Sequence, residues 1–436
     1  MKQKRILLIT IGMVFVLLTG TLLYAILRDD DSYRYFTGLG EKISVAPDDS
    51  EIAFSYFLDG KESVYTANIN GKDVKQITKS TNRHDRHPAY SPDGKKIVYL
   101  SENPNGIQSL QVINQDGSGE RQLTDSEFHV TDGIFSQDGN TIFFVAVEAE
   151  EFKKGEESRE GFDLFSIKAD GSHMKKLTDA DHFSMNHLFL SPDGQTINFS
   201  EFDREKERVY SYSLEEGIVN EKTSILPEEI ANAQSFYEPQ LSPDGRSLAF
   251  TDVLKESQDS SLFKYELFLL DLETQDMERL TNLKKAVTSP VFFHNENKIA
   301  FLENTNWSTE PAEYRLMMID TVTHDIEAVE LDAPPSAGDN WFIQMLDRAV
   351  NSLTLAILYV LSMSLLSVYL LHYTGKAYLP SIISFLIAII TFVASFVVAA
   401  MINPWYGMGL GALAAGIFGC SIIIVLFIFI YKLLVK

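Results

Sequence analysis

The chain has 436 residues, with 60 acidic side chains against 37 basic ones and a formal charge of −23. A surface so acidic repels nucleic acid and excludes phosphate-backbone binding as its business. The one cysteine, Cys420, excludes a disulfide framework within the chain.

Met1 to Arg5 carries Lys2, Lys4 and Arg5, and Ile6–Leu27 then runs without a charge until Arg28-Asp29-Asp30-Asp31 stops it. That run is long enough to cross a hydrocarbon core of about 30 Å. A cleaved signal peptide would have a shorter apolar region and small residues at the cut, which Leu23-Tyr24-Ala25 does not offer. Residues 1–31 therefore read as a cytoplasmic tail and a retained anchor. Residues 32–39 read either as a linker or as a ring-closing strand, because Tyr33-Arg34-Tyr35-Phe36-Thr37 resembles Val74-Lys75-Gln76-Ile77-Thr78.

Residues 40–332 are a repeat. Ser91-Pro92-Asp93-Gly94 recurs unchanged at 191 and 242, as Ser136-Gln137-Asp138-Gly139, as Ala46-Pro47-Asp48-Asp49, and in position only near His294-Asn295-Glu296-Asn297. The spacing of 45 to 55 residues is that of a propeller blade. Each copy precedes a β-rich run such as Ile97-Val98-Tyr99-Leu100, then a second run such as Leu110-Gln111-Val112, a polar turn, and a short strand ending in Leu123-Thr124 or a relative. β-Branched and aromatic residues suit a pleated, buried surface, and Asp-Gly supplies the positive φ of tight hairpins. The expectation is all-β: a six-bladed β-propeller of four-stranded antiparallel blades, with one transmembrane α-helix before it and three after it.

The order of strand, Ser-Pro-Asp-Gly, strand, Asp-Gly hairpin and Leu-Thr resembles the TolB-type, WD-like β-propeller family over most of the non-membrane chain. Blades of this kind occur in translocation proteins, peptidase gating domains, oligosaccharide lyases and sensors, so the resemblance implies a fold more than a function.

Insertions fall between the second and third strands at Glu148–Gly161, Asp252–Lys264 and Glu303–Glu313. They elaborate one face, the usual place for binding on a rigid scaffold. The charge run Glu148–Glu157 reads as a solvated loop. Five of the nine histidines lie between blades: His84, His87, His129, His182 and His187. With Asp85, Asp132, Asn186, Tyr237 and Glu238 from equivalent positions, they are expected near the mouth of a central channel. Imidazoles with carboxylates are the usual ligands of zinc, manganese or iron, so the five histidines are metal candidates and the other five a ligand-binding face. The resemblance to manganese-holding oligogalacturonate lyases, in which His87-Pro88 has a similar placement, implies the same. The competing reading is a set of polar loop residues around water, with no cofactor. Neither a Gly-x-Ser-x-Gly elbow nor a phosphate-binding glycine loop occurs.

Pro334-Pro335-Ser336-Ala337-Gly338 marks 333–348 as a hinge and juxtamembrane segment, with Trp341 and Phe342 suited to a membrane interface. Residues 349–436 hold three apolar spans, 349–371, 379–402 and 408–431, without an ionisable side chain other than Cys and Tyr. That argues against an ion-coupled pump. Gly411, Ala415 and Gly419 suggest a smooth face for helix packing. All the acidic residues, but only 31 of the 37 basic ones, lie in 28–348. Lys2, Lys4, Arg5, Lys376, Lys432 and Lys436 then place both termini in the cytoplasm and the propeller outside. The chain reads as a multi-pass bacterial membrane protein whose outer module binds a protein, peptide or envelope ligand. The lipid bilayer is one partner, and a protein bound through the propeller face or the spans is another. The alternatives are a metal-dependent, lyase-like carbohydrate enzyme and a structural subunit of an envelope complex.

Overall fold

A computed structural model describes residues 2–28, 31–79, 82–155, 158, 160–214, 223–254, 257, 263–338 and 340–435. They form two compact units, Asp31–Ala337 and a helical unit of Met1–Asp30 with Gly338–Lys436.

The larger unit is built of antiparallel four-stranded meanders. Their innermost strands are Gly38–Val45, His84–Tyr90, Phe128–Phe135, Asn186–Leu190, Tyr237–Leu241 and Ala286–Phe292. Four sheets have four strands each in chain order, and the last two meanders merge into one sheet of eight through a parallel pairing of Tyr265 with Ala286. The middle strands are the core: Phe54, Phe144, Phe199, Phe250 and Phe301 are all fully buried. One cluster packs Ile52 and Phe54 of the first meander with Ala300 and Leu316 of the last.

The repeated motifs have repeated jobs. Ser91 donates to Asp93 at 2.7 Å and accepts from the Lys96 amide at 2.9 Å, while Gly94 takes φ +70°. Ser136, Ser191 and Ser242 do the same in their turns. These serines are turn residues. The turns also touch each other, Pro47 against Gly94, Pro92 against Gly139 and Pro192 against Gly245. In the Leu-Thr strands, Thr78, Thr124, Thr178 and Thr281 each accept a backbone N–H from the neighbouring strand at 2.9–3.0 Å.

Residues 32–35 form a turn, not a strand. Tyr33 and Phe36 dock on Phe57, and the Phe36 carbonyl accepts from Gly60. The meander of residues 286–329 supplies its own outer strand, Ile326–Val329. Two short helices, α2 (Ala149–Lys154) and α3 (Glu228–Ala233), lie between strands. The charge run falls largely on α2, where Lys153 reaches Glu150 at 2.8 Å and Lys154 pairs with Glu151. Glu156 and Glu157, and most of the 252–264 insertion, lie outside the described residues.

The helical unit holds α1 (Lys2–Leu27), α4 (Trp341–Ala349), α5 (Ser352–Thr374), α6 (Leu379–Met401) and α7 (Pro404–Leu434). All but α4 are long and apolar enough to cross a membrane. The helix of the last span starts four residues earlier than its apolar run, because Asn403 caps it, accepting from Trp405 at 2.8 Å, and Pro404 suits the first turn. Its packing face is not Gly411, Ala415 and Gly419. A Cβ on Gly407 would come within 2.3 Å of Ala399, whereas Gly419 has open space around it. Gly407, Ala414, Ser421, Ile424 and Ile428 are buried, and all but Ile424 fall seven residues apart. Their seven-residue spacing follows the seam between two packed helices.

Candidate functional site

The innermost strands converge on a cavity of about 250 Å³. One position per meander supplies its distinctive side chain: the residue four before each turn. These are Lys42, His87, Asp132, His187, Glu238 and Ser289, and all six line the cavity.

The backbone explains the convergence. His87, His187, Glu238 and Ser289 all have φ between +51° and +54°, a region that costs a non-glycine residue of order 1 kcal/mol. Each sits where the pairing of its strand with the next slips, as between Arg86 and Ala89 or between Tyr237 and Gln240. A bulge there turns the side chain out of the sheet and toward the axis.

The site is tightly bonded on one side. Lys42 Nζ lies 2.9 Å from Asp132 Oδ1, and Asp132 Oδ2 accepts the Leu188 amide at 2.9 Å. Burial opposes ionisation of Asp132, but the Lys42 ammonium and these hydrogen bonds outweigh it and hold the carboxyl below the usual range. The same burial, with Lys42 nearby, pushes the His187 imidazole down to about 4, and lowers His87 as well. Burial pushes Glu238 up to about 7, although its carboxylate accepts the Ser289 amide. His187 Nδ1 is 2.9 Å from Ser200 Oγ, which donates to Glu207 at 2.7 Å. Ser289 Oγ accepts the Ile43 amide at 3.3 Å.

A second cavity of about 340 Å³ shares Glu41 and His87 with the first. It is lined by Asp31, Glu62, Glu102 and Glu310, with Arg86 between Glu62 at 2.9 Å and Glu102 at 3.4 Å. Burial pushes Glu62 up to about 7, against the pull of Arg86.

Not all the expected residues meet here. His87, His187, Asp132, Asn186 and Glu238 line the central cavity, and His84 lines the adjoining one. His129 stacks on Phe152 at 3.4 Å and accepts from the Gln108 amide. His182 is buried between Glu201 at 3.1 Å and the Tyr212 hydroxyl at 2.7 Å. Asp85 is fully buried and accepts from Ser101 at 2.6 Å, and Tyr237 packs edge-on against Tyr265. Those four are held within and between the sheets. The five histidines thus do not form one shell. Among the described residues, no three His, Cys, Asp or Glu side chains are grouped to hold a metal ion, and Asp132 is already taken by Lys42. Lys42 and Ser289 are cavity residues that a search for histidines and carboxylates passes over. Counting back four residues from every turn finds them.

Residues 34–159 match the TolB beta propeller domain. TolB from Acinetobacter baumannii shares the fold, with a TM-score of 0.50 at 18% identity over 66% of this chain and 65% of that one. The larger unit has a TolB-like propeller fold. Among sequence relatives, the uncharacterized peptidase YuxL of Bacillus subtilis is 25% identical over 229 residues, 44% of this chain and 32% of the relative. Dipeptidyl-peptidase 5 of Porphyromonas gingivalis is 25% identical over 283 residues, 54% of this chain and 38% of that protein. The chain spans about a third of the length of these curated relatives.

Proposed function

We propose that the protein is a membrane-anchored binding module of a bacterial cell envelope, whose propeller recognises a protein, peptide or envelope ligand at its central cavity. In this reading the meanders close as one six-bladed ring outside the cytoplasmic membrane. The four apolar helices span the bilayer, and both termini lie inside. Ring closure is supported by Asp49 of the first turn, which accepts the His294 and Asn295 amides of the last at 2.8 and 2.7 Å. Orientation is supported by the basic residues Lys2, Lys4, Arg5, Lys376 and Lys432 at one set of helix ends.

The observation that carries the binding role is the ring of six polar side chains, of five kinds, at one repeat position. A purely structural repeat has no need to hold four of them at positive φ. A cavity with convergent polar groups and displaced pKa values is the usual form of a binding site.

Two experiments test this. A photo-crosslinking residue at position 42 of the full-length protein, in its native membrane, should capture a discrete partner or envelope component. Capture only from positions in α5 to α7 would instead make the spans the docking surface. A cysteine at the exposed Glu296 should react with a membrane-impermeant thiol reagent on intact cells; reaction only after permeabilisation would reverse the topology.

A further inference from the structure

We infer that the central cavity takes a primary ammonium group: a lysine side chain or a free amino terminus of a peptide or protein. The inference rests on the reading of the cavity as a binding site and names what it binds.

What decides the class is a balance of charge and of unpartnered polar atoms. Lys42 is the one Lys or Arg among the cavity residues, and its charge is paired with that of Asp132. Asp132 is satisfied in turn, with Oδ1 taking Lys42 and the Gly133 amide and Oδ2 taking the Leu188 amide. The pair carries no net charge toward a ligand. The neutral His87 ring can donate or accept, and the charge left over is on acceptors, the carboxylates of Glu41 and Glu238. Glu238 uses Oε2 on the Ser289 amide, and Oε1 has no partner among the described residues. Ser200 gives its one proton to Glu207, so its oxygen accepts from His187 Nδ1–H. On that assignment His187 keeps a lone pair on Nε2, the ring nitrogen left for the cavity. A carboxylate oxygen and an imidazole nitrogen, held on neighbouring inner strands at the same repeat position, ask for a donor that carries charge.

Size and approach agree. About 250 Å³ is below the usual range for drug-sized ligands and fits one side chain or a chain end. The adjoining cavity, which shares Glu41 and His87 with the central one, is lined by Glu62, Glu102 and Glu310 against Arg86. An acidic lining of this kind draws in cations and repels carboxylates.

The test is equilibrium dialysis of the full-length protein, in detergent at pH 7.5, with labelled n-butylamine and with labelled butyrate. Butylamine should bind in a 1:1 ratio and butyrate should not. Competition by Nα-acetyl-lysine amide would identify the side-chain ammonium as the source, and competition by glycylglycine amide the amino terminus. Glu238→Gln should weaken butylamine binding at least tenfold without lowering the melting temperature, and Glu296→Gln, on an exposed turn, should leave it unchanged. His187→Gln gives a second reading in the same direction should Glu238→Gln fail to fold. Butyrate binding without butylamine would overturn the ammonium class and leave the cavity as a site. Equal binding by wild type and both cavity variants would overturn the inference outright. No binding of either probe, with no crosslink from position 42, would overturn the reading it rests on.

Discussion

Gly40 lies on the first innermost strand, two residues before Lys42. A Cβ there would come within 2.0 Å of Ser55 Oγ and 2.8 Å of Glu62 Oε1, both buried. Both neighbours would have to shift inside the fold, so Gly40→Ala is expected to destabilise the propeller by about 1–3 kcal/mol, the usual cost of overpacking. Urea unfolding of the full-length protein measures it, and an unchanged midpoint would refute the packing argument. The cavity's titratable groups make a second prediction. His187 is held near 4 in the fold against an ordinary 6.5. Its stabilising contribution is whole above about pH 6.5 and is lost as pH falls toward 4. Glu238 is raised to about 7 from an ordinary 4.5, so its contribution is whole below 4.5 and is lost as pH rises toward 7. The two slopes oppose each other in the same window. His187→Gln should therefore flatten the acid side of the melting-temperature profile, and Glu238→Gln should raise the melting temperature at pH 8 more than at pH 5. Profiles parallel to wild type would mean that neither group is buried as described.

At the scale of the element, α4 stands apart. None of its residues is buried within the helical unit, and Trp341 and Phe342 are 66% and 52% exposed. Its last turn is bonded to the end of α1, where Tyr24 donates to Asp347 at 2.8 Å and Arg28 to the Val350 carbonyl at 2.8 Å. That end of α1 is where the apolar run stops, and if α1 spans the bilayer as proposed it lies at a headgroup layer, about 30 Å from the other face. An amphipathic helix held there puts its aromatic face in the interface. With Trp307 and Trp405 replaced by Phe, Trp341 fluorescence should be quenched by lipids brominated near the headgroup; an unquenched, red-shifted emission would place it in water. The element scale also shows what spacing alone misjudges. Gly411, Ala415 and Gly419 look like a packing stripe, yet the buried face of α7 runs through Gly407 and Ala414, because the partner helix crosses at Ala399.

At the scale of the whole molecule, the first and last meanders share a core cluster and a hydrogen-bonded pair of turns. Burial of Asp49 opposes its ionisation, but the two amides and His294 outweigh it and keep the carboxyl below its ordinary range. Asp49→Ala removes two charge-assisted bonds of the kind worth roughly 1.5–3 kcal/mol each, so a loss of about 2–4 kcal/mol is expected after relaxation. Hydrogen exchange should rise first in the strands Glu51–Leu58 and Lys298–Asn304 that flank the joint. Uniform exchange around the propeller would show that these turns do not bear closure.

The division of labour between sequence and tertiary structure follows from range. Strand order, turn chemistry and the four apolar helices rest on local rules: β-branched runs, Ser-Pro-Asp-Gly turns and uninterrupted apolar stretches. These read directly from the chain. So does the site, once each turn is used as a ruler, since Lys42 and Ser289 stand at the same offset as His87. What local rules do not carry is the side of the strand to which a residue turns. His129 and His182 sit between repeats as His87 and His187 do, yet they face Phe152 and Tyr212. The bulges at positive φ choose among them, and these depend on how each innermost strand pairs with its neighbour. The ion pair of Lys42 with Asp132, 90 residues apart, and the spare acceptors it leaves on Glu238 and His187 are likewise decided only when the inner strands meet.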